Sequence, residues 1–261
     1  MARIGLFDSG VGGITVLHEV IRMPVASEVL YYMDTAHVPY GTKSVTQIRG
    51  YAEEIVRFLR QQGAELIVIA CNTATSAAAA YLRERFDVPI VGMEPAVKPA
   101  LALQGDGKRD RVLVLATPLT LREKKLADLI AKYDASHRVD LLAMPGLVTF
   151  AEEERFDTEE VHRYIRETLK DTDTSRYRAV VPGCTHFRFF LPELREVFPE
   201  ETSFVDGTEG TVHRIADLLG EAAAPQEPAD EVLYYNADVQ IKEQSALRRI
   251  ARLHERLDRI G

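Results

Sequence analysis

Cysteine is scarce in this chain, with two in 261 residues, too few for the disulfide framework of a small secreted domain. Long apolar runs are missing as well. No stretch approaches the roughly 18 residues that a membrane-spanning helix needs, and Asp8 comes too early for a secretory leader. Positive charge is not in excess: 32 Lys and Arg stand against 40 Asp and Glu, a formal charge of −8. That balance argues against nucleic acid or an anionic membrane surface as the main partner. There is no G-x-x-x-x-G-K-[ST] phosphate loop, no C-x-x-C or H-x-x-x-H metal spacing, and no lysine motif pointing to pyridoxal phosphate. What remains is a chain expected in the cytoplasm, where thiols stay reduced. Its 46% hydrophobic content is enough for a sizeable core.

The two cysteines occupy matching settings. Leu66-Ile67-Val68-Ile69-Ala70 reads as a buried strand, and Cys71-Asn72-Thr73-Ala74-Thr75-Ser76 reads as the start of an alanine-rich helix. Free backbone N–H groups and the helix dipole at that junction predict a lowered thiol pKa for Cys71. Val180-Val181-Pro182-Gly183 likewise runs into Cys184-Thr185-His186-Phe187. A lone cysteine is ordinarily a small buried hydrophobe. Polar residues following both, each at a strand end, weigh against that reading.

Strand-like runs are expected at 3–7, 28–33, 65–70, 88–92, 111–116, 138–144, 178–182, 203–206 and 231–236. Helical patterns lie between most of them, at 46–62, 120–133, 158–169, 208–219 and 244–257. Alternation of this kind predicts an α/β fold with largely parallel sheets flanked by helices. The polar loop 104–110 reads as a boundary, and 221–230 as a surface linker. With one cysteine motif in each half, the chain is expected to form two pseudo-symmetric lobes. The first is 1–96 plus 205–261 with Cys71, the second 97–204 with Cys184, and a ligand cleft lies between them.

Other strand ends supply further polar groups. The first runs into Asp8-Ser9-Gly10-Val11-Gly12-Gly13, whose glycines predict a tight turn and close backbone approach to a ligand. Asp34 lies 21 residues after Gly13, roughly as in a dinucleotide fold, but Thr15 takes the place of the third glycine and Asp8 faces the pyrophosphate. Pro39-Tyr40-Gly41 predicts a rigid turn presenting a phenol and a free N–H. Thr117 and Thr120 fit a helix cap with hydroxyls to spare for a carboxylate. Glu152-Glu153-Glu154 reads by itself as a solvated charge cluster. His18, His137, His162, His213 and His254 fall in or beside helical patterns and are expected to face solvent. A three-ligand zinc site of Cys71, Cys184 and His186 has the right donor types without the usual spacing.

Taken together, Asp8-Ser9-Gly10, Pro39-Tyr40-Gly41, Cys71-Asn72-Thr73, Glu94-Pro95 and Gly183-Cys184-Thr185-His186 resemble the glutamate racemase family, from Ile4 to about Leu219. The resemblance implies a cofactor-independent amino-acid racemase of two α/β lobes, working in the cytoplasm on glutamate for peptidoglycan synthesis. It also implies a homodimer. By it Cys71 and Cys184 are the two acid/bases, Cys71 abstracting from the D-enantiomer and Cys184 from the L-enantiomer. Asp8-Ser9, Tyr40-Gly41, Asn72-Thr73 and Thr185-His186 hold the substrate and tune the thiols, and Glu152 stands near the second cysteine; from their own positions at strand ends, Pro39, Thr117 and Thr120 are expected to join the substrate site. Arg188 replaces the family's usual proline, Pro182 its usual aliphatic residue, and Met93-Glu94-Pro95-Ala96 is a variant stretch.

The chemistry agrees with these residues independently. Inverting an α-carbon needs a base on one face and an acid on the other, roles that a thiolate and a thiol exchange with direction. Two alternatives of the same scaffold or motif are an aspartate or other amino-acid racemase and a nicotinamide-dependent oxidoreductase. A third is a non-catalytic zinc or amino-acid binder.

Overall fold

The computed structural model describes residues 2–23, 28–103, 107–220 and 231–260. Residues 104–106 of the polar loop and the whole expected linker 221–230 lie outside the described residues. The chain opens with β1 (Arg3–Asp8), α1 (Ile14–Val20), β2 (Glu28–Met33), α2 (Val45–Gln61), β3 (Leu66–Ile69), α3 (Asn72–Arg83) and β4 (Ile90–Gly92). Next come α4 (Val97–Ala102), β5 (Arg111–Ala116), α5 (Pro118–Arg122), α6 (Lys124–Tyr133) and β6 (Val139–Ala143). They are followed by α7 (Gly146–Glu152), α8 (Glu159–Leu169), β7 (Tyr177–Pro182), α9 (Leu191–Arg195) and β8 (Ser203–Phe204). The last elements are α10 (Thr208–Leu219), β9 (Glu231–Asn236), β10 (Val239–Gln240) and α11 (Gln244–Ile260).

The strands form two sheets, ordered β10-β9-β2-β1-β3-β4 and β6-β5-β7-β8. Pairing is parallel throughout, except that β10 runs antiparallel to β9. Parallel strands covered on both faces must be apolar on both, and β3 and β7 are buried at every residue. The helices show the complementary pattern. On α2, Ile48, Ala52, Ile55, Val56 and Leu59 are buried, each large side chain contributing about 1.5–3 kcal/mol. Ser44 and Gln47 close a capping box at its start.

Both sheets reverse their strand order at their first strand. In the first, β2 lies on one side of β1 and β3 on the other; in the second, β6 and β7 flank β5 in the same way. Crevices open beyond the carboxyl ends of strands at such reversals. Cys71 follows β3 and Cys184 follows β7, so the two thiols stand at corresponding reversals. That correspondence is the physical basis of the symmetry between the two sequence motifs.

Some elements depart from expectation. The helix expected over 120–133 is two helices: Thr117 caps α5, Pro118 occupies its first turn, and an extended Glu123 separates it from α6. The short helices α4, α7 and α9 and the strand β10 carry too little periodicity to stand out in the sequence.

Candidate active site

The turn after β1 and the segment after β7 meet face to face. An added Cβ at Gly10 would lie 1.9 Å from Glu152 Oε1, and one at Gly12 would lie 2.3 Å from His186 Nδ1. These glycines therefore admit the side chains of the opposite half of the chain, where the sequence had predicted close approach to a ligand. The approach brings polar groups together. Asp8 Oδ1 accepts from the Gly10 N–H at 3.0 Å and the Ser9 hydroxyl at 3.4 Å, and Asp8 Oδ2 accepts from Thr185 Oγ1 at 3.1 Å.

Cys71 is the N-cap of α3, its sulfur accepting from the Ala74 N–H at 3.4 Å and lying 3.8 Å from Ser9 Oγ. The predicted drop in its pKa does not occur. Burial raises the thiol well above the ordinary thiol range, and the negative charge of Asp8 adds to that, while the Ala74 N–H and Ser9 hydroxyl offset only part. Burial also raises Asp8, against the lowering influence of His186, the Gly10 N–H and the Thr185 hydroxyl.

Cys184 Sγ lies 3.7 Å from His186 Nδ1, and His186 Nε2 lies 2.7 Å from Glu152 Oε1. Burial by itself would lower His186, but hydrogen bonds with Cys184 and Glu152, and their charges, raise it well above its ordinary value. Burial would raise Glu152; the His186 contact, the Val11 N–H at 2.8 Å and the Arg249 charge outweigh it and lower the carboxyl. Glu152 is thus no part of a solvated cluster, its side chain being 15% exposed. The residues around it explain why: the reach of the Gly10–Gly12 turn encloses it.

A second cluster flanks Asn72. The hydroxyls of Thr73, Thr117 and Thr120 lie 3.0 Å from one another, all buried. Asn72 is buried with its side-chain Oδ1 unpartnered, a position that calls for a donor from a ligand. The Pro39-Tyr40-Gly41 turn packs against Thr117 and α5. Its phenol is not presented to the cleft: Tyr40 is buried and donates to Asp34 Oδ2 at 2.6 Å. His37 Nδ1 lies 2.8 Å from the other Asp34 oxygen, so this carboxylate is committed within the protein and is not free for a ribose.

Arg188 reaches Glu19 Oε1 at 2.6 Å and comes within 3.8 Å of Asp206. His18 is buried, contrary to expectation, with its Nδ1 2.9 Å from that of His254, because α11 packs on α1. Among the described residues no group of three or more His, Cys, Asp or Glu is arranged to hold a metal ion. A cavity of about 560 Å³, lined among others by Arg83, Lys98, Tyr133 and Arg214, includes neither cysteine. A far smaller one, about 10 Å³, touches Cys184, Thr185, Asn72 and Arg188. Chemistry rather than size locates the candidate site, between the two thiols.

No helix among the described residues is long and apolar enough to cross a membrane. Residues 15–215 match the Asp/Glu/hydantoin racemase family, and the chain belongs to that family. It is 45% identical to the glutamate racemase of Campylobacter curvus over 261 residues, covering 99% of this chain and 98% of the relative. It is 44% identical to that of Halothermothrix orenii over 237 residues, 90% of this chain and 92% of the relative. Among solved structures, Escherichia coli glutamate racemase, crystallised with L-glutamate and the activator UDP-MurNAc-ala, superimposes with a TM-score of 0.82. The two are 31% identical, over 98% of this chain and 95% of that one.

Proposed function

We propose that the protein is a glutamate racemase that interconverts the L- and D-enantiomers by two-thiol proton transfer, in the cytoplasm, and supplies D-glutamate for peptidoglycan. The observation that carries the reading is the matched placement of Cys71 and Cys184 beyond β3 and β7, each with its own proton-bearing neighbour. In the L-to-D direction Cys184, as thiolate beside His186, takes the α-proton. Cys71, as thiol, gives its proton to the opposite face, so the thiolate moves from one sulfur to the other. The D-to-L direction reverses both transfers.

The carbanionic transition state beside a carboxylate is strongly anionic and needs fixed donors. The Thr73, Thr117 and Thr120 hydroxyls supply them for a carboxylate, and Asn72 Oδ1 accepts from the substrate ammonium. Cys71 is 5% exposed and Cys184 8%, so substrate entry requires the lobes, 1–96 plus 205–261 and 97–204, to part and close again. Closure then excludes water from the thiolate. A homodimer completes the reading.

The test is polarimetry of purified protein with L-glutamate, L-aspartate and neutral amino acids, with no cofactor added. The proposal expects loss of optical activity with glutamate far faster than with the others. Equal turnover of aspartate would move the substrate assignment, and a requirement for added nicotinamide would remove the racemase reading.

A further inference from the structure

On α11, Arg249, Arg252 and Arg256 follow at spacings of three and four residues, which places them along one side of the helix. All three reach segments that carry the second thiol and its partners. Arg256 donates to the Phe189 carbonyl at 2.7 and 2.9 Å and to Glu193 at 2.6 Å. Arg252 grips Glu154 at 2.9 and 3.0 Å. Arg249 goes further inward. Its Nε donates to Glu154 Oε1 at 3.0 Å, and its Nη2 donates to the Glu152 carbonyl and lies 3.9 Å from Glu152 Oε2.

Glu152 needs such a partner. It is the last residue of α7, where carbonyls lack intrahelical donors and an anion meets the unfavourable end of the helix dipole. Its Oε1 is already occupied by His186 Nε2 at 2.7 Å and by the Val11 N–H at 2.8 Å. A cation at the backbone carbonyl and the far oxygen leaves the carboxylate one orientation.

We propose that Arg249 is a positioning residue for the second thiol: by fixing Glu152 from α11, it keeps the His186 imidazole directed at Cys184. The inference deepens the two-thiol reading and rests on it for its consequence in catalysis. It makes the docking of the C-terminal helix a condition for a reactive Cys184. Arg249 touches neither sulfur nor imidazole, so its effect must pass through Glu152.

The experiment is iodoacetamide alkylation of the full chain, with the rate at each cysteine resolved by peptide mass spectrometry, alongside glutamate racemisation. The rate reads the thiolate fraction, which an imidazolium beside the sulfur increases. Arg249→Met is expected to slow labelling of Cys184 by about fivefold or more, and to leave Cys71 within about twofold. Arg249→Lys keeps the charge without the fork and is expected to fall between. Arg252→Met removes another α11 ion pair and is the control, expected within about twofold of the parent at both cysteines. Should Arg249→Met fail to fold, Arg249→Lys against Arg252→Met carries the comparison. Unchanged Cys184 labelling in the folded Arg249 variants, or an equal loss in Arg252→Met, would overturn the proposal. A parent protein that labels as expected but racemises no amino acid would remove the functional reading and leave the assignment of Arg249 standing.

Discussion

The hydroxyl of Thr185 donates to Asp8 Oδ2 across 3.1 Å, joining the residue after the second cysteine to the end of the strand that lies beside the first. Asp8 ends β1 of the first sheet and Thr185 follows β7 of the second, so this bond links the ends of the two. It gives Asp8 a donor where burial would otherwise leave a carboxylate oxygen unpaired. Thr185→Val is expected to cost about 1.5–3 kcal/mol of transition-state stabilisation, roughly 10- to 150-fold in kcat/KM, the range for a buried hydrogen bond to a charged group. Steady-state racemisation of both enantiomers checks it, and the loss in kcat/KM must be the same in each direction because the equilibrium constant is unity.

Asp8→Asn separates stability from activity. The folded Asp8 carboxyl is raised by burial, so its favourable contribution to folding is present at acid pH and is lost as pH rises through the folded value. Removing the charge is therefore expected to leave Tm at pH 7 equal to or above that of the parent, the difference shrinking toward pH 4. Racemisation is expected to fall by about 10²-fold or more, as when an acid/base partner is lost. Thermal melts at several pH values beside kinetics settle both parts. A lower Tm at pH 7 would contradict the assignment of burial as the dominant influence.

Cys71 is raised above the ordinary thiol range by burial and by Asp8. Its labelling by iodoacetamide at pH 7.5 is expected to be slower than that of a free thiol, and to climb with pH beyond about 8.5, where free cysteine is already half ionised. The same shift makes folding stability fall as pH rises past the ordinary thiol value, since the unfolded chain then releases a proton that the folded chain keeps. Mass-resolved labelling from pH 6 to 10 measures the first, and denaturant unfolding over the same range the second.

The Thr73, Thr117 and Thr120 hydroxyls, mutually 3.0 Å apart, are expected to act as one carboxylate cradle. Thr117→Val deletes one hydroxyl of the three and removes the cap of α5. A loss of about 1–3 kcal/mol in glutamate binding is expected, with a further loss of about 1 kcal/mol in stability from the cap. Calorimetric titration of glutamate into a Cys71→Ser background, where no turnover obscures binding, separates the two.

Much of this was legible in the sequence, and the reasons are physical. β-branched apolar runs such as Val180–Val181 and Leu66–Ile69 mark parallel strands because both faces are buried, and each cysteine comes within three residues of the end of its run. Contacts between distant segments left no such trace. Nothing local distinguishes Glu152 from Glu153, yet only the first reaches His186 and Val11. Tyr40 gives no sign that Asp34 claims its phenol. The helix-dipole argument for Cys71 was sound in kind, since the Ala74 N–H does lower it; burial and Asp8, invisible in one dimension, decide the sign. Arg249 lies in a helix whose polar face looks solvated until α7 is set against it.

The most direct test of the two-thiol account is racemisation of L-glutamate in D₂O by the parent protein and by Cys71→Ser and Cys184→Ser, with no added cofactor, followed by circular dichroism and α-proton NMR. The account predicts that the parent forms D-glutamate carrying α-deuterium, because the proton delivered comes from a solvent-exchanged thiol. Each serine variant is predicted to bind glutamate but to lose racemisation by about 10³-fold or more, a serine hydroxyl being too weak a base at neutral pH. Near-normal racemisation by Cys184→Ser, or D-glutamate that retains the original α-proton, would contradict it.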